Sequence, residues 1–148
     1  MAPPQNSTIV LSGHKDCIRT VGWNITGTRL ASGSTDKTIR IWNPEKPEVR
    51  YSIPLRGHTQ SIDNLCWDPT NPDHLVSASS DKTVCFWDYR STPLFPVGAQ
   101  LLAQSCLKEV PTKGENINIT WSPDGTHVAV ASKVLFPYHI LIKLMRVG

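Results

Sequence analysis

Apolar and polar residues alternate along most of this chain with the period of two that a half-buried β-strand requires. Thr38-Ile-Arg-Ile-Trp42 shows it most plainly, with β-branched residues set between polar ones. Residues 18–23, 29–33 and 49–55 read the same way, with tight turns predicted at 24–27 and 35–37 and a break at Asn43-Pro-Glu-Lys-Pro47. A second set follows the same order: strands at 62–67, 74–78 and 83–87, a Pro-rich turn at 68–72 and a turn at Asp81. A third set opens with strands at 117–121 and 127–131 around the turn Ser122-Pro-Asp-Gly125. Residues 8–12 form one more short β-prone run. Nothing in roughly the first ninety residues calls for a helix.

The sets are copies of one unit. Gly13-His14 … Ser32-Gly-Ser-Thr-Asp36-Lys-Thr-Ile-Arg-Ile-Trp42 returns as Gly57-His58 … Ser77-Ala-Ser-Ser-Asp81-Lys-Thr-Val-Cys-Phe-Trp87. His14 to His58 and Trp23 to Trp67 are 44 residues apart, and Asp36 to Asp81 and Trp42 to Trp87 are 45 apart. A period of about 40–45 that opens on Gly-His and closes on Trp resembles the WD40 repeat family. The resemblance implies an all-β fold, a fragment of a WD40 β-propeller built from four-stranded blades. It implies blade 1 over residues 8–56, blade 2 over 57–92 and part of blade 3 over 112–132, after a polar disordered tail at 1–7. In the family, a run placed like residues 8–12 is the outermost strand of the neighbouring blade.

Two stretches depart from the pattern. Trp67 to Trp121 spans 54 residues, and the surplus makes residues 93–111 an irregular insertion. After Ser132 no Asp turn follows; residues 133–148 read as an aberrant apolar tail, broken by Pro137 and prone to aggregate where unpaired. That tail is too short and interrupted to cross a membrane. Residues 93–110 and 134–148 are read as translated introns, with genuine divergence as the alternative, in what is expected to be the N-terminal portion of a longer protein. Two and a half blades cannot close a ring that typically needs about 4–8.

Composition narrows the chemistry. Fifteen Lys and Arg against twelve Asp and Glu give a net charge of +3, spread along the chain rather than gathered into a nucleic-acid patch. Cys17, Cys66, Cys85 and Cys106 have no C-x-x-C spacing, so no metal is expected, and Cys66 and Cys85 read as small buried hydrophobes. No cofactor is expected either. The polar start Met1-Ala-Pro-Pro-Gln-Asn lacks the apolar core of a secretion signal, which leaves the Asn6, Asn24 and Asn118 sequons without consequence.

His14, Ser32, Asp36 and Trp42 form one polar set, and His58, Ser77, Asp81 and Trp87 form another. Ser, His and Asp together invite a hydrolase reading, but a hydrolase needs one nucleophile in one cleft. Recurrence with the repeat argues for architecture and against a catalytic residue. The WD40 resemblance implies that each set is a hydrogen-bonded tetrad in which Asp accepts from His and Ser joins His to the indole. Trp23, Trp67 and Trp121 recur at one position and are expected between blades. The exposed residues beside the Asp turns are the expected partner-facing loops: Lys15, Asp16, Arg19 and Thr35, with Thr59, Gln60, Asp63 and Ser80 in the second repeat.

Residues 57–83 and Thr112-Lys-Gly-Glu-Asn-Ile-Asn-Ile-Thr-Trp121-Ser-Pro-Asp-Gly125 resemble, more narrowly, the WD40 subunits of the THO complex; Gly-Glu-Asn-Ile-Asn is the distinctive part. That resemblance implies a nuclear, non-enzymatic scaffold that works in messenger-RNA packaging and export. Its partners would be the other subunits of THO and of its transcription-export assembly TREX. RNA association would be indirect or weak, with no membrane and no small-molecule ligand. Two alternatives stay open: a general WD40 adaptor in ubiquitin ligation, signalling or small-nuclear-RNA assembly, and a truncated product without function.

Overall fold

The computed structural model describes residues 8–91, 106–134 and 139–148. Their eleven strands form three antiparallel sheets, and no α-helix occurs among the described residues. Sheet 1 runs in the order β1 (Ile18–Trp23), β2 (Leu30–Ser34), β3 (Thr38–Trp42), β4 (Ile53–Arg56). Sheet 2 runs β5 (Ile62–Trp67), β6 (His74–Ser79), β7 (Thr83–Asp88), β8 (Cys106–Pro111). Sheet 3 has β9 (Glu115–Trp121) and β11 (His139–Arg146) on either side of β10 (His127–Val134). The three stack face to face as successive blades of an open propeller arc.

Local chemistry sets the turns. The Asn24 side-chain oxygen accepts from the amides of Thr28 and Arg29, each at 3.0 Å, which closes the β1–β2 hairpin over Gly27 at φ +67°. Asp68 does the equivalent work between β5 and β6, accepting from the amides of Thr70 at 2.7 Å and Asn71 at 3.3 Å. At the β2–β3 and β6–β7 turns, Lys37 and Lys82 adopt left-handed backbone angles, φ 71° and 67°. A non-Gly residue there is strained. The preceding Asp offsets it, receiving the amide of Thr38 at 3.0 Å and of Thr83 at 2.9 Å.

Stacking buries the core between sheets. One cluster joins Ala31, Ile39, Ile41 and Leu55 of sheet 1 to Ile62, Leu65, Trp67, Leu75, Cys85 and Trp87 of sheet 2. The other joins Val76, Ala78 and Val84 of sheet 2 to Ile119, Trp121, Val128, Val130 and Met145 of sheet 3. Trp67 and Trp121 each pack on the blade before them, whereas Trp23, expected at the same position between blades, is exposed. The Trp67 indole donates to the Gly22 carbonyl at 2.8 Å, and Trp121 meets Phe86 edge to face at 6.0 Å. Gly33 lets the sheets approach, since a Cβ there would come within 2.7 Å of the Ile62 side chain.

Several boundaries differ from those expected. Residues 8–12 form no strand here, and β4 starts only at Ile53 because a 3₁₀ turn takes Val49–Tyr51. The end of the expected insertion is β8, the outer strand of blade 2; Val84 pairs with Val110 and Trp87 with Cys106. The remainder of that insertion and the disordered tail expected at 1–7 lie outside the described residues. Blade 3 does not stop at 132. β10 runs to Val134, and β11 pairs with it in unbroken register from His127↔Arg146 to Val134↔His139. Within β11, Met145 is buried while Ile142 and Leu144 point to the other face. A strand with apolar residues on both faces loses its period-two signature, which is why it reads as a foreign run in the sequence.

Gly114, just before β9, lies directly against β10, where a Cβ would overlap the carbonyl oxygen of Lys133. Gly114→Ala is expected to lower stability by about 1–3 kcal/mol, because backbone rather than a flexible side chain must move. The urea unfolding midpoint measures this, and an unchanged midpoint would overturn the packing described.

Candidate functional site

Both tetrads assemble at the Asp-turn end of their blades with the same geometry. His14 Nδ1 lies 2.8 Å from Asp36, His14 Nε2 lies 2.7 Å from Ser32 Oγ, and Trp42 Nε1 lies 2.8 Å from the same oxygen. In blade 2 the corresponding distances, from His58 to Asp81 and Ser77 and from Trp87 to Ser77, are 2.7, 2.7 and 2.8 Å. The proton positions follow from the partners. An indole N–H can only donate, so the Ser oxygen accepts from Trp and its hydroxyl proton goes to His Nε2. His then carries its proton on Nδ1 and donates to Asp. Ser32 and Ser77 are fully buried, and each hydroxyl is engaged on both sides. Neither presents a face to a substrate, so the sets do not form the open nucleophile that a hydrolase needs.

The aspartates are electrostatic anchors. Partial burial pushes each carboxyl up, but hydrogen bonds outweigh it and hold both well below the usual carboxylate range. For Asp36 the donors are the Thr38 hydroxyl, the Lys15 amide, His14 and the Thr38 amide. For Asp81 they are His58, the Thr83 hydroxyl and the Thr59 amide.

Beside these anchors the inner strands carry a shared bulge. Register slips between Ile18 and Thr20, between Ile62 and Asn64, and opposite the step from Asn116 to Asn118. The residue left unpaired is Arg19, Asp63 or Ile117, which the bulge turns toward the end of the blade. Arg19 and Asp63 meet there at 3.5 Å, and Asp63 also accepts from the Ser80 hydroxyl. Three of the eight expected partner-facing residues are thus joined in one network across blades 1 and 2. Asp16 caps the Cys17 amide at 2.7 Å, and the Thr35 hydroxyl donates to the Cys17 carbonyl at 3.3 Å. Lys15, Thr59 and Gln60 are exposed on the same end face; the amides of Lys15 and Thr59 serve the two aspartates.

Blade 3 has Thr112 where blades 1 and 2 have His14 and His58, nine residues before the inner-strand Trp. A different network fills the place. Asn116, fully buried, accepts from the hydroxyls of Thr112 at 2.8 Å and Ser132 at 2.7 Å, and donates to the Thr83 carbonyl at 2.8 Å. Thr112 also donates its amide to the Lys82 carbonyl at 2.8 Å. The distinctive Gly-Glu-Asn-Ile-Asn run thereby bolts blade 3 to the tight turn of blade 2. Its one sequence signal is the missing His, which alone does not say what replaces it. A second polar line crosses the inner strands, Thr20 to Asn64 at 3.4 Å and Asn64 to Asn118 at 2.6 Å.

The opposite end holds a feature not anticipated from sequence, a cleft of about 500 Å³ between blades 1 and 2 lined by Arg29, Lys46, Tyr51, Tyr89 and Arg90. Arg90 is already paired there with Asp73 at 3.0 Å and Asp88 at 3.6 Å. All four cysteines are free thiols, with Cys85 buried; the adjacent Cys106 sulfur and burial push the Cys85 thiol up. Among the described residues, no His, Cys, Asp and Glu group could hold a metal, and no helix is long and apolar enough to cross a membrane.

The WD domain, G-beta repeat profile matches residues 5–43 and 49–88, the first two blades with their tetrads. The chain belongs to the WD40 repeat family. It is 47% identical to THO complex subunit 3 of Arabidopsis thaliana over 123 residues, which is 82% of this chain and 35% of that protein. It is 30% identical to WD repeat-containing protein AAC3 of Dictyostelium discoideum over 146 residues, 86% of this chain and 28% of that protein. Identity to the U5 small nuclear ribonucleoprotein 40 kDa protein of the same organism is 40% over 78 residues, 53% of this chain and 21% of that protein. The chain therefore spans about a third or less of the length of these curated relatives.

Two outcomes follow from the tetrads. Ser77→Ala leaves the Trp87 indole and His58 Nε2 buried without partners and is expected to cost about 1–3 kcal/mol, against less than about 1 kcal/mol for Ser80→Ala nearby. Urea unfolding of the two variants compares them. The anchored aspartates bind protons less readily in the folded chain than in the unfolded chain. Their stabilisation is present above the ordinary carboxylate range and declines as pH falls through it, below about pH 4. Asp36→Asn with Asp81→Asn should flatten that decline; an identical acid slope in the double variant would count against the anchors.

Proposed function

We propose that this WD40 chain is a non-enzymatic scaffold segment of a THO assembly, working in the nucleus in messenger-RNA packaging and export. The identity to THO complex subunit 3, 47% over 82% of the chain, carries the reading. It is supported by the Asn116 bolt, which lies in the Gly-Glu-Asn-Ile-Asn run on which the THO resemblance rests. In this reading the tetrads lock each blade's shape, and the Asp-turn end is the docking face. Lys15, Thr59 and Gln60 offer free side chains there, while Arg19, Asp63 and Ser80 hold two blades in a fixed relation. A rigid polar face of this kind suits protein partners, since the order is already present before binding. The other subunits of the assembly are those partners, and contact with RNA runs through them.

Affinity capture of the tagged chain from nuclear extract tests the reading. Recovery of the THO core subunits is expected, reduced several-fold by Lys15→Glu with Gln60→Ala, which alter the end face and leave both tetrads intact. Recovery of cullin adaptors or Sm proteins in place of the THO core would favour the general WD40 adaptor and overturn the proposal.

A further inference from the structure

The cleft at the end opposite the Asp turns lies between blades 1 and 2 and plays no part in the docking face described above. Blade 1 supplies Lys46 from the link after β3 and Tyr51 from the 3₁₀ turn Val49–Tyr51; blade 2 supplies Tyr89 from the 3₁₀ turn Tyr89–Ser91. Ile41 and Ile53, register partners on β3 and β4, give the apolar part of the lining. These walls are fixed before any ligand arrives. Tyr89 meets Trp67 edge to face at 6.0 Å, and Trp67 in turn bonds the Gly22 carbonyl of blade 1. At the same end the Asn24 side-chain amide donates to the Pro72 carbonyl at 3.2 Å, which joins the two blades once more.

The cations of the cleft are unequally used. Arg90 is engaged by Asp73 and Asp88. Arg29 and Lys46 make no ion pair among the described residues, although all twelve Asp and Glu of the chain lie there. The half-buried Arg29 guanidinium donates to the Thr28 carbonyl at 2.8 Å, which leaves most of its N–H groups for a ligand. Lys46 lies over the Tyr51 ring at 5.6 Å, so its charge is held at the rim without being neutralised. A planar guanidinium fork fits a carboxylate through two parallel hydrogen bonds. The space of about 500 Å³ beside it, bounded by two tyrosines and two isoleucines, fits a large apolar side chain.

We propose that this cleft docks an acidic peptide segment of a protein partner. An aromatic side chain of the segment sits between Tyr51 and Tyr89, and the carboxylates next to it are received by Arg29 and Lys46. Charge complementarity selects that occupant, since both unpaired cations stand on the blade 1 side and the tyrosines give the anchor an amphipathic seat. An RNA strand suits the cleft less. Asp73 and Asp88 flank Arg90 on the blade 2 side and repel a continuous phosphate backbone. Both walls belong to blades 1 and 2, so the site depends on neither end of the chain. It gives the scaffold a second attachment point, on the end away from Lys15, Thr59 and Gln60, and it stands independently of the THO reading.

Fluorescence anisotropy of the 148-residue chain with the labelled peptide Gly-Asp-Glu-Phe-Glu-Asp-Gly tests it. Saturable binding is expected with a Kd below about 100 μM. Changing the acidic residues of the peptide to their amides, or its Phe to Ala, should each weaken binding about 10-fold or more. Those two arms use the unaltered protein and do not depend on how a variant folds. Arg29→Gln with Lys46→Gln should bring a similar loss, with circular dichroism unchanged. Lys108→Gln, which removes an exposed charge from β8, should leave the affinity within about twofold. Failure to saturate by about 1 mM, equal affinity for the amide peptide, or a loss in Lys108→Gln as large as in the double variant would overturn the proposal. So would a uridine oligonucleotide that binds more tightly than the peptide and displaces it.

Discussion

Each sheet of this protein is apolar on both faces, and the rest of the structure follows from the need to cover them. Blade 2 shows the constraint in full. Leu75, Cys85 and Trp87 point into the cluster shared with blade 1, while Val76, Ala78 and Val84 point into the one shared with blade 3. A single four-stranded meander buries little of this surface, and an isolated sheet of that size is marginal in water. Stacking supplies the missing burial, at about 25 cal/mol for each Å² of apolar area removed from water. At both steps an inner-strand tryptophan, Trp67 or Trp121, looks back toward the preceding blade.

Close stacking would leave polar groups stranded were they not joined in closed networks. The Asp–His–Ser–Trp chain meets that need by giving every buried donor an acceptor, ending at a carboxylate fed by turn amides. It also ties the strained Lys turn, the segment leading into the inner strand, and the second and third strands of one blade together. Blade 3 reaches the same end with other atoms. Asn116 gathers the Ser132 hydroxyl of its own sheet, the Thr112 hydroxyl of the link from blade 2 and the Thr83 carbonyl of blade 2, so the lock there spans two blades. Burying a polar network in this manner makes blade shape specific, and a specific end face is what a scaffold presents to its partners.

Much of this was legible in the sequence, because the repeat prints its own geometry. A doubled Gly-His … Ser … Asp … Trp unit at 44–45 residues determines strand order, turn positions and the members of both tetrads, since a constellation repeated with the blade must be local to the blade. Alternation with period two determines which strands are half-buried. What tertiary structure decided lies where those signals fail. β8 and β11 sit in stretches whose composition conceals strands, because a sheet-edge strand or one with apolar residues on both faces shows no clear alternation. The pairing of Arg19 with Asp63 depends on a bulge and on the approach of two blades. Asn116 is an ordinary polar residue until stacking brings the Thr83 carbonyl to it. Local rules of alternation and turn chemistry act within a blade and can be read from the chain, whereas contacts between blades arise only when the sheets are stacked.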